Sequence, residues 1–421
     1  MGREPTSSSA ARVKDSIDHI ISSAINSGVK TIHIEPSQNF ILVRFRRGTK
    51  LEVVNKLPSS SGKEFSAQLK KLANLDFNKT SIPQYGLTKL QIAKKLHEFQ
   101  VVTVPVIGGE KITIDVLNEA GPTGSLSSIG LWGSPLKQLQ QALGDNHGLI
   151  LITSPGIRPA QDMLGIMMGS VGSPSHLQAY IGPLINGLPS SVDIQNGDNV
   201  LQKLKLLPAG KHALVGIGLV GSSALARQIN DQVIKKQHIM AVLPASSAFG
   251  ALIFWQQMVN EQLSLPLVVN EHRVSSLCQS CKQDYEPPII EQLQLASIFQ
   301  VGDLDIMKAF HSLEISAIKA GLGGKAEASS TNKGIAKLWR PNKEGCADCN
   351  YSGFDGDIGV FEVLIPSDKL SSGLSHKTSK TELADIAREG GMVNLKTDAL
   401  VKALRGLIDF KTLMAIGSTI N

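Results

Sequence analysis

An uninterrupted apolar run, Leu149 to Ile152, closes at Thr153, turns through Ser154, Pro155 and Gly156, and leads into a helix expected from near Ala160. A strand, a tight turn and a helix start form the frame of a phosphate-binding loop, where backbone N–H groups and the helix N-terminus cradle an anion. The chemistry of such a loop needs G-x-x-x-x-G-K-[ST]. Its glycines allow close backbone approach, its Lys meets the outer phosphates, and its hydroxyl meets Mg²⁺. Here the first glycine position holds Ser154 and the second Pro159, with Pro155, Gly156, Ile157 and Arg158 between them. Ala160 stands at the Lys position and Gln161 at the hydroxyl position. Pro159 also removes a backbone N–H, and Arg158 beside the turn is expected to be solvated. The frame is expected; its chemistry is not.

Around this junction strands and helices alternate. Strands are expected at Ala213–Ile217, Ile239–Leu243 and Leu265–Val269, and helices at Pro135–Leu143, Ser222–Lys235 and Ser247–Val259. That alternation predicts a doubly wound, mostly parallel sheet. Ahead of it, Val13–Asn26 has helical apolar spacing and ends at Gly28. Strands in KTIHIEP and FILVRFRRG, a helix over Gly62–Leu75, and strands over His97–Pro105 and Lys111–Leu117 complete a small α/β domain. Gly108-Gly109 turns the last pair. The 421 residues therefore divide into a disordered tail (1–12), an N-terminal domain (13–119), a linker (120–128), a core (129–270), a cysteine-bearing region (271–365) and a helical tail (366–421). Within the cysteine-bearing region, Gly321–Gly334 is low in complexity and predicted to be a flexible loop.

Net charge is +6, but the basic pairs Lys70-Lys71, Lys94-Lys95 and Lys235-Lys236 are scattered and free of aromatic interleaving, which argues against nucleic acid as a partner. The N-terminus has no secretory signal pattern. Ile239–Val259 is uncharged, yet Pro244, Gly250, Gln256 and Gln257 fit a strand and helix better than a membrane span. A cytosolic chain is expected.

The four cysteines form two C-x-x-C pairs, Cys278/Cys281 and Cys346/Cys349. Two such knuckles supply the four thiolates of a structural Zn²⁺ site, with no coordination position left open for catalysis. A cytosolic chain disfavours disulfides. A second glycine motif, Gly216, Gly218 and Gly221 in GIGLVG, matches the dinucleotide fingerprint. The acid expected about 20 positions on is missing, so a tightly packed Gly-rich turn is favoured over the alternative of an NAD-binding module.

Together these motifs resemble the ATPases that drive type IV pilus assembly and type II secretion. The resemblance runs from about residue 13 to the end. It is carried by IHIEP (Ile32–Pro36), VRFR (Val43–Arg46), IPQYG (Ile82–Gly86), VPVIGGEKITIDVL (Val104–Leu117), HGLILITSPG, the cysteine pairs with GFDGDIGVFEVL (Gly353–Leu364), and GGMVNLKTDAL (Gly390–Leu400). It implies a PAS-like N-terminal α/β domain, a RecA-like core, a zinc subdomain and a helical tail. The further N-terminal module of many members is not expected here.

Carried over by position, the loop Lys falls on Ala160 and its Thr on Gln161. The acidic pair of a second box falls near Ile181 and Gly182, the Walker B acid on Ile217, and the histidine of a further box on Pro244. Two arginines that approach the nucleotide fall on Gln100 and Asp115. Phosphoryl transfer depends on placed charge, so ATP and Mg²⁺ are not expected as cofactors. The implied function is an inactive homologue, a structural or regulatory subunit. Its implied partners are an active paralogous ATPase and an inner-membrane platform protein, in a homo- or hetero-hexameric ring at the inner face of the cytoplasmic membrane. A divergent active ATPase, using Arg158 and Asp162, is the alternative.

Overall fold

The computed structural model describes all residues except 1–6, 30, 48–49, 82–83, 93–94, 107, 118–124, 146–147, 172–177, 183–184, 186–187, 189–191, 196–199, 207–213, 260–265, 302, 325–326, 366, 376–377, 379, 391 and 420–421. Most of the expected linker and His147 thus lie outside the described residues. The chain divides into two compact units, Met1–Gly121 and Pro122–Asn421.

The first unit runs α1 (Ser7–Asn26), β1 (Thr31–Pro36), β2 (Phe40–Arg47), β3 (Lys50–Pro58), α2 (Gly62–Leu72), β4 (Gln84–Ile92), β5 (Lys95–Val106) and β6 (Gly109–Leu117). Its sheet is antiparallel throughout, in the order β3-β2-β1-β6-β5-β4. Strand alternation sends Ile32, Ile34, Val43 and Phe45 to one face, where Ile17, Ile20 and Ile21 of α1 and Phe65 and Leu69 of α2 cover them. The tail expected over 1–12 is corrected for Ser7 onward, which is already helical. A polar, Ser-rich turn is tolerated at a helix start because its N–H groups have no intrahelical partner.

In the second unit α3 (Gly133–Gly144), β7 (Gly148–Thr153), α4 (Ile157–Val171), β8 (Gln178–Ile181), β9 (Val192–Gln195), α5 (Val200–Leu206), β10 (Leu214–Ile217), α6 (Ser223–Ile234), β11 (His238–Val242), α7 (Ala248–Val259) and β12 (Leu267–Leu277) follow in order, alternating except where β8 is followed by β9; β8, β9 and α5 are additional to the expected elements. The remaining elements are β13 (Gln283–Tyr285), α8 (Ile289–Phe299), α9 (Leu304–Lys319), β14 (Ser330–Thr331), β15 (Gly334–Ile335), β16 (Leu338–Arg340), β17 (Phe354–Leu364), α10 (Asp368–Ser375), α11 (Lys380–Glu389), α12 (Leu395–Leu404) and α13 (Phe410–Thr419). Seven strands form one sheet, β17-β12-β7-β11-β10-β8-β9. All neighbours are parallel except β12 and β17. Leu149 and Leu151 of β7 face a core shared with α6 and α7, while Ile150 and Ile152 face the core of α3 and α4. Helices on both faces explain why these strands read as continuous apolar runs.

Two expected features differ. The boundary set at residue 270 falls inside β12, because the strand continues through Asn270, Glu271, His272 and Arg273 to Leu277. Residues 321–334, expected to be a flexible loop, are tied down where described. The carbonyls of Leu322, Gly324 and Glu327 accept from the buried Arg405 guanidinium at 3.0, 3.2 and 3.2 Å. The N–H groups of Ser329 and Ser330 donate to the buried Glu314 carboxylate at 2.7 and 2.9 Å.

Candidate functional site

At the end of β7, Thr153 Oγ1 donates to the carbonyl of Ala245 at 2.7 Å. Only Ser154, Pro155 and Gly156 separate the strand from α4. The helix begins at Ile157, one turn before the position expected from sequence. Pro159 is compatible with this early start, since a proline in the first turn removes an N–H that has no intrahelical acceptor. An i,i+4 ion pair from Arg158 Nε to Asp162 Oδ1, 2.8 Å, closes the same turn.

The side chains at the Lys and hydroxyl positions point inward. Ala160 and Gln161 are 1% and 0% exposed. Gln161 Nε2 donates to the carbonyl of Gly218 at 3.0 Å, which ties α4 to the end of β10. Arg158, expected to be solvated, has a side chain only 14% exposed and is paired. Asp162 in turn receives Arg273 Nη1 at 3.0 Å. Arg273 also clamps Glu271 through Nε to Oε1 at 3.0 Å and Nη2 to Oε2 at 3.2 Å, and reaches the Pro159 carbonyl at 3.5 Å. Burial alone would lower the Arg273 pKa, but Glu271 and Asp162 outweigh it and raise it above the ordinary arginine value. Burial pushes the Glu271 carboxyl up, against the pull of Arg273. Two guanidiniums and two carboxylates thus neutralise one another at the base of the junction.

Sequence reasoning missed Glu271 and Arg273. Their signal was three charged or titratable residues, Glu271, His272 and Arg273, in the middle of an apolar strand. It also missed Asp398, which is buried and accepts from Trp132 Nε1 at 2.7 Å, from the Phe361 N–H at 2.7 Å and from the buried Lys402 ammonium. Burial lowers the Lys402 pKa, and Asp398 and Glu271 oppose that shift. The signal there was an acid and a lysine four apart, Asp398 and Lys402, flanking the apolar run Ala399–Val401.

The other carried-over positions are also filled. Ile217 is fully buried, and the Ile181 carbonyl accepts from the Gly218 N–H at 2.9 Å. Gly216 lies under α4, where a Cβ would sit 2.5 Å from Met168 Sδ. Close helix–strand packing therefore accounts for a glycine of GIGLVG. The Val220 N–H donates to Val242 at 2.8 Å, and Ser222 caps α6 by accepting from Leu225. The Gly218 and Val220 N–H groups of this turn are thus engaged within the protein. In the first unit Gln100 and Asp115 face each other across β5 and β6. Asp115 accepts from Thr31 Oγ1 at 2.7 Å, and Gln100 is fully buried.

The four cysteines do meet. Leu277 at the end of β12 lies opposite Phe354 at the start of β17, so two neighbouring antiparallel strands bring both knuckles to one end of the sheet. All four sulfurs lie within 4.8 Å of one another. Cys278–Cys346, Cys281–Cys349 and Cys346–Cys349 are 3.7, 3.8 and 3.8 Å apart. Sulfurs held tetrahedrally about 2.3 Å from one ion would be about 3.8 Å apart, whereas a disulfide needs about 2.05 Å. Burial pushes the Cys349 thiol up, but N–H groups of Cys346 and Gly353, 3.2 and 3.3 Å away, bring it down to about 6. The turn into the second knuckle needs Gly345, at φ +62°, because a Cβ there would lie 2.3 Å from the Tyr351 carbonyl carbon. The donor set fits a structural zinc ion. Gln279, within the first knuckle, donates to the Gly406 carbonyl at 3.0 Å and anchors the site to the end of α12.

Compared with known proteins, the chain matches the family described as type II/IV secretion system protein over residues 6–156 and 236–415. Between 156 and 236 the match is interrupted. That interval holds Arg158–Gln161, Ile181 and Ile217. The chain is 25% identical over 402 residues to the type IV pilus assembly ATPase PilB of Pseudomonas aeruginosa, covering 93% of this chain and 65% of that protein. It is 21% identical over 408 residues to the PilB of Thermus thermophilus, covering 95% of this chain and 42% of that one. It is 23% identical over 409 residues to the type II secretion system protein E of Dickeya dadantii, covering 95% and 74%. The chain therefore spans less than two thirds of either PilB.

Proposed function

The chain belongs to the type II/IV secretion system protein family, and from that premise we propose that it is a catalytically inactive member, a structural or regulatory subunit of pilus-assembly or type II secretion machinery. One observation carries this reading. Gln161, at the position of the metal-binding hydroxyl, is buried and bonded to Gly218 beside the position of the Walker B acid. Two elements that would hold Mg²⁺ between them are instead bonded to each other. Arg158, the nearest replacement cation, is engaged by Asp162, and Asp162 by Arg273. Each lost transition-state donor typically costs ~10²–10³ in rate. The interruption of the family match over the same interval supports the reading.

A second reading, an active ATPase with a divergent site, is favoured by the family itself, since the relatives are named as ATPases. It requires Arg158 and Asp162 to leave their pairs and serve nucleotide and metal. ATP turnover and nucleotide binding by the pure protein separate the two. Hydrolysis that disappears on mutating Arg158 or Asp162 supports the second reading; neither binding nor turnover supports the first.

On the first reading the chain keeps the body of a ring subunit. A structural Zn²⁺ on Cys278, Cys281, Cys346 and Cys349 clips β12 to β17. The partners are an active paralogous ATPase and an inner-membrane platform protein, in a homo- or hetero-hexameric ring. No helix among the described residues is long and apolar enough to cross a membrane, in keeping with a peripheral position at the cytoplasmic face.

A further inference from the structure

Helix α8 is apolar on two sides. Leu295 and Phe299 pack into the core shared with α12 and α13. On the other side Ile289, Ile290 and Leu293 are 74%, 71% and 64% exposed, and Leu304, the first residue of α9, is 59% exposed. Residues i, i+1 and i+4 on one turn make a continuous ridge, the shape that another helix packs against. Charge narrows the partner further. From Gln283 to Met307 the sequence has Asp284, Glu286, Glu291, Asp303 and Asp305 and no Lys or Arg, in a chain whose net charge is +6. Asp284, Glu286, Asp303 and Asp305 are exposed. The bases that border this stretch are engaged: Lys282 Nζ donates to the Gly406 carbonyl at 2.9 Å, Arg340 of the paired strand β16 lies over the Tyr285 ring at 5.3 Å, and Lys308 is paired with Asp305 at 2.9 Å.

An acidic rim repels an anionic bilayer and attracts a basic partner. A second copy of the chain is a poorer fit. Among the described residues its longest exposed apolar stretch with basic neighbours is β3, with Leu51, Val53 and Val54, while Leu206 beside Lys203 and Lys205 and Ile234 beside Lys235 and Lys236 are single exposed side chains at helix ends rather than stripes. β3 is an edge strand, which offers hydrogen bonds to another strand rather than a helical ridge. We propose that the Ile289–Leu293 turn of α8 docks an amphipathic helix of a partner protein, one with an aliphatic stripe flanked by Lys or Arg. This site is independent of whether the chain hydrolyses ATP.

The test uses the full chain and a labelled synthetic helix with a leucine stripe flanked by lysines, alongside its isomer with glutamates in their place. Fluorescence anisotropy is expected to show binding of the lysine helix only, weakening as salt rises. Ile290→Ser with Leu293→Ser should weaken it about tenfold or more, the scale of losing buried aliphatic anchors, with the melting temperature unchanged. Asp284→Asn with Glu286→Gln, which leaves the ridge intact, should remove much of the salt dependence. In native cells a photo-crosslinker at position 293 should map to a basic amphipathic helix. The proposal is overturned if the lysine helix does not bind, or binds the serine variant equally well. It is also overturned if phosphatidylserine vesicles bind through this ridge, or if the ridge instead drives self-association in sedimentation.

Discussion

Gln161 Nε2 and the Gly218 carbonyl, 3.0 Å apart and buried, join the first turn of α4 to the end of β10. Replacing Gln161 with Leu would keep the volume and leave that carbonyl unpaired, at about 1–3 kcal/mol, read as a lower denaturant midpoint. Restoring the expected chemistry with Ala160→Lys and Gln161→Thr should destabilise the fold, because a lysine would enter a site now 1% exposed. It should not yield ATP turnover.

Arg273 holds Asp162 and Glu271 together. Arg273→Met strips the buried Glu271 carboxylate of its clamp and leaves Asp162 with Arg158 alone, and a loss of about 3–5 kcal/mol is expected near neutral pH. The pH dependence has a defined sign. Glu271 is already raised by burial, with Arg273 pulling it down, so removing Arg273 raises it further. An acid whose folded pKa exceeds its unfolded value contributes stability at low pH and loses it as pH rises through the folded pKa. Urea unfolding at a series of pH values should therefore show the deficit of the variant shrinking toward acid pH.

Period-2 and helical spacing made most of the core elements legible, because each buries a simple face. β7, β11 and α7 lie close to where their apolar residues predict them. The cysteine cluster was legible from ligand number alone, although the strands that unite it were not. What escaped depends on pairing between distant residues. β12 runs on past Val269, where the apolar run ends, because Arg273 pairs with both Glu271 and Asp162 and so allows these charges inside. The early start of α4 rests on the Arg158–Asp162 pair, and the placement of Leu322, Gly324 and Glu327 on Arg405.

Zinc is expected at one ion per chain by metal analysis of the purified protein. Cys349→Ser should remove it and lower the melting temperature, and a chelator should reproduce the shift in the unmutated protein. Because Gln279 and Leu277 bond the Gly406–Leu407 backbone, hydrogen exchange at the end of α12 should rise with it.

Arg405 is the pin of residues 321–334. Arg405→Ala would leave Glu314 buried without its cation, 3.6 Å away, and would release three carbonyls. Limited proteolysis should then cut between 321 and 334 faster than in the unmutated chain.

The central claim is that this family member does not turn over nucleotide. The most direct measurement is ATP hydrolysis and nucleotide binding by the pure, zinc-loaded chain, alone and mixed with an active paralogue. No turnover and no saturable ATP binding are expected of the chain alone, with any activity of the mixture abolished by mutating the paralogue. Saturable hydrolysis by the chain alone, lost on Arg158→Ala or Asp162→Asn, would contradict the central claim.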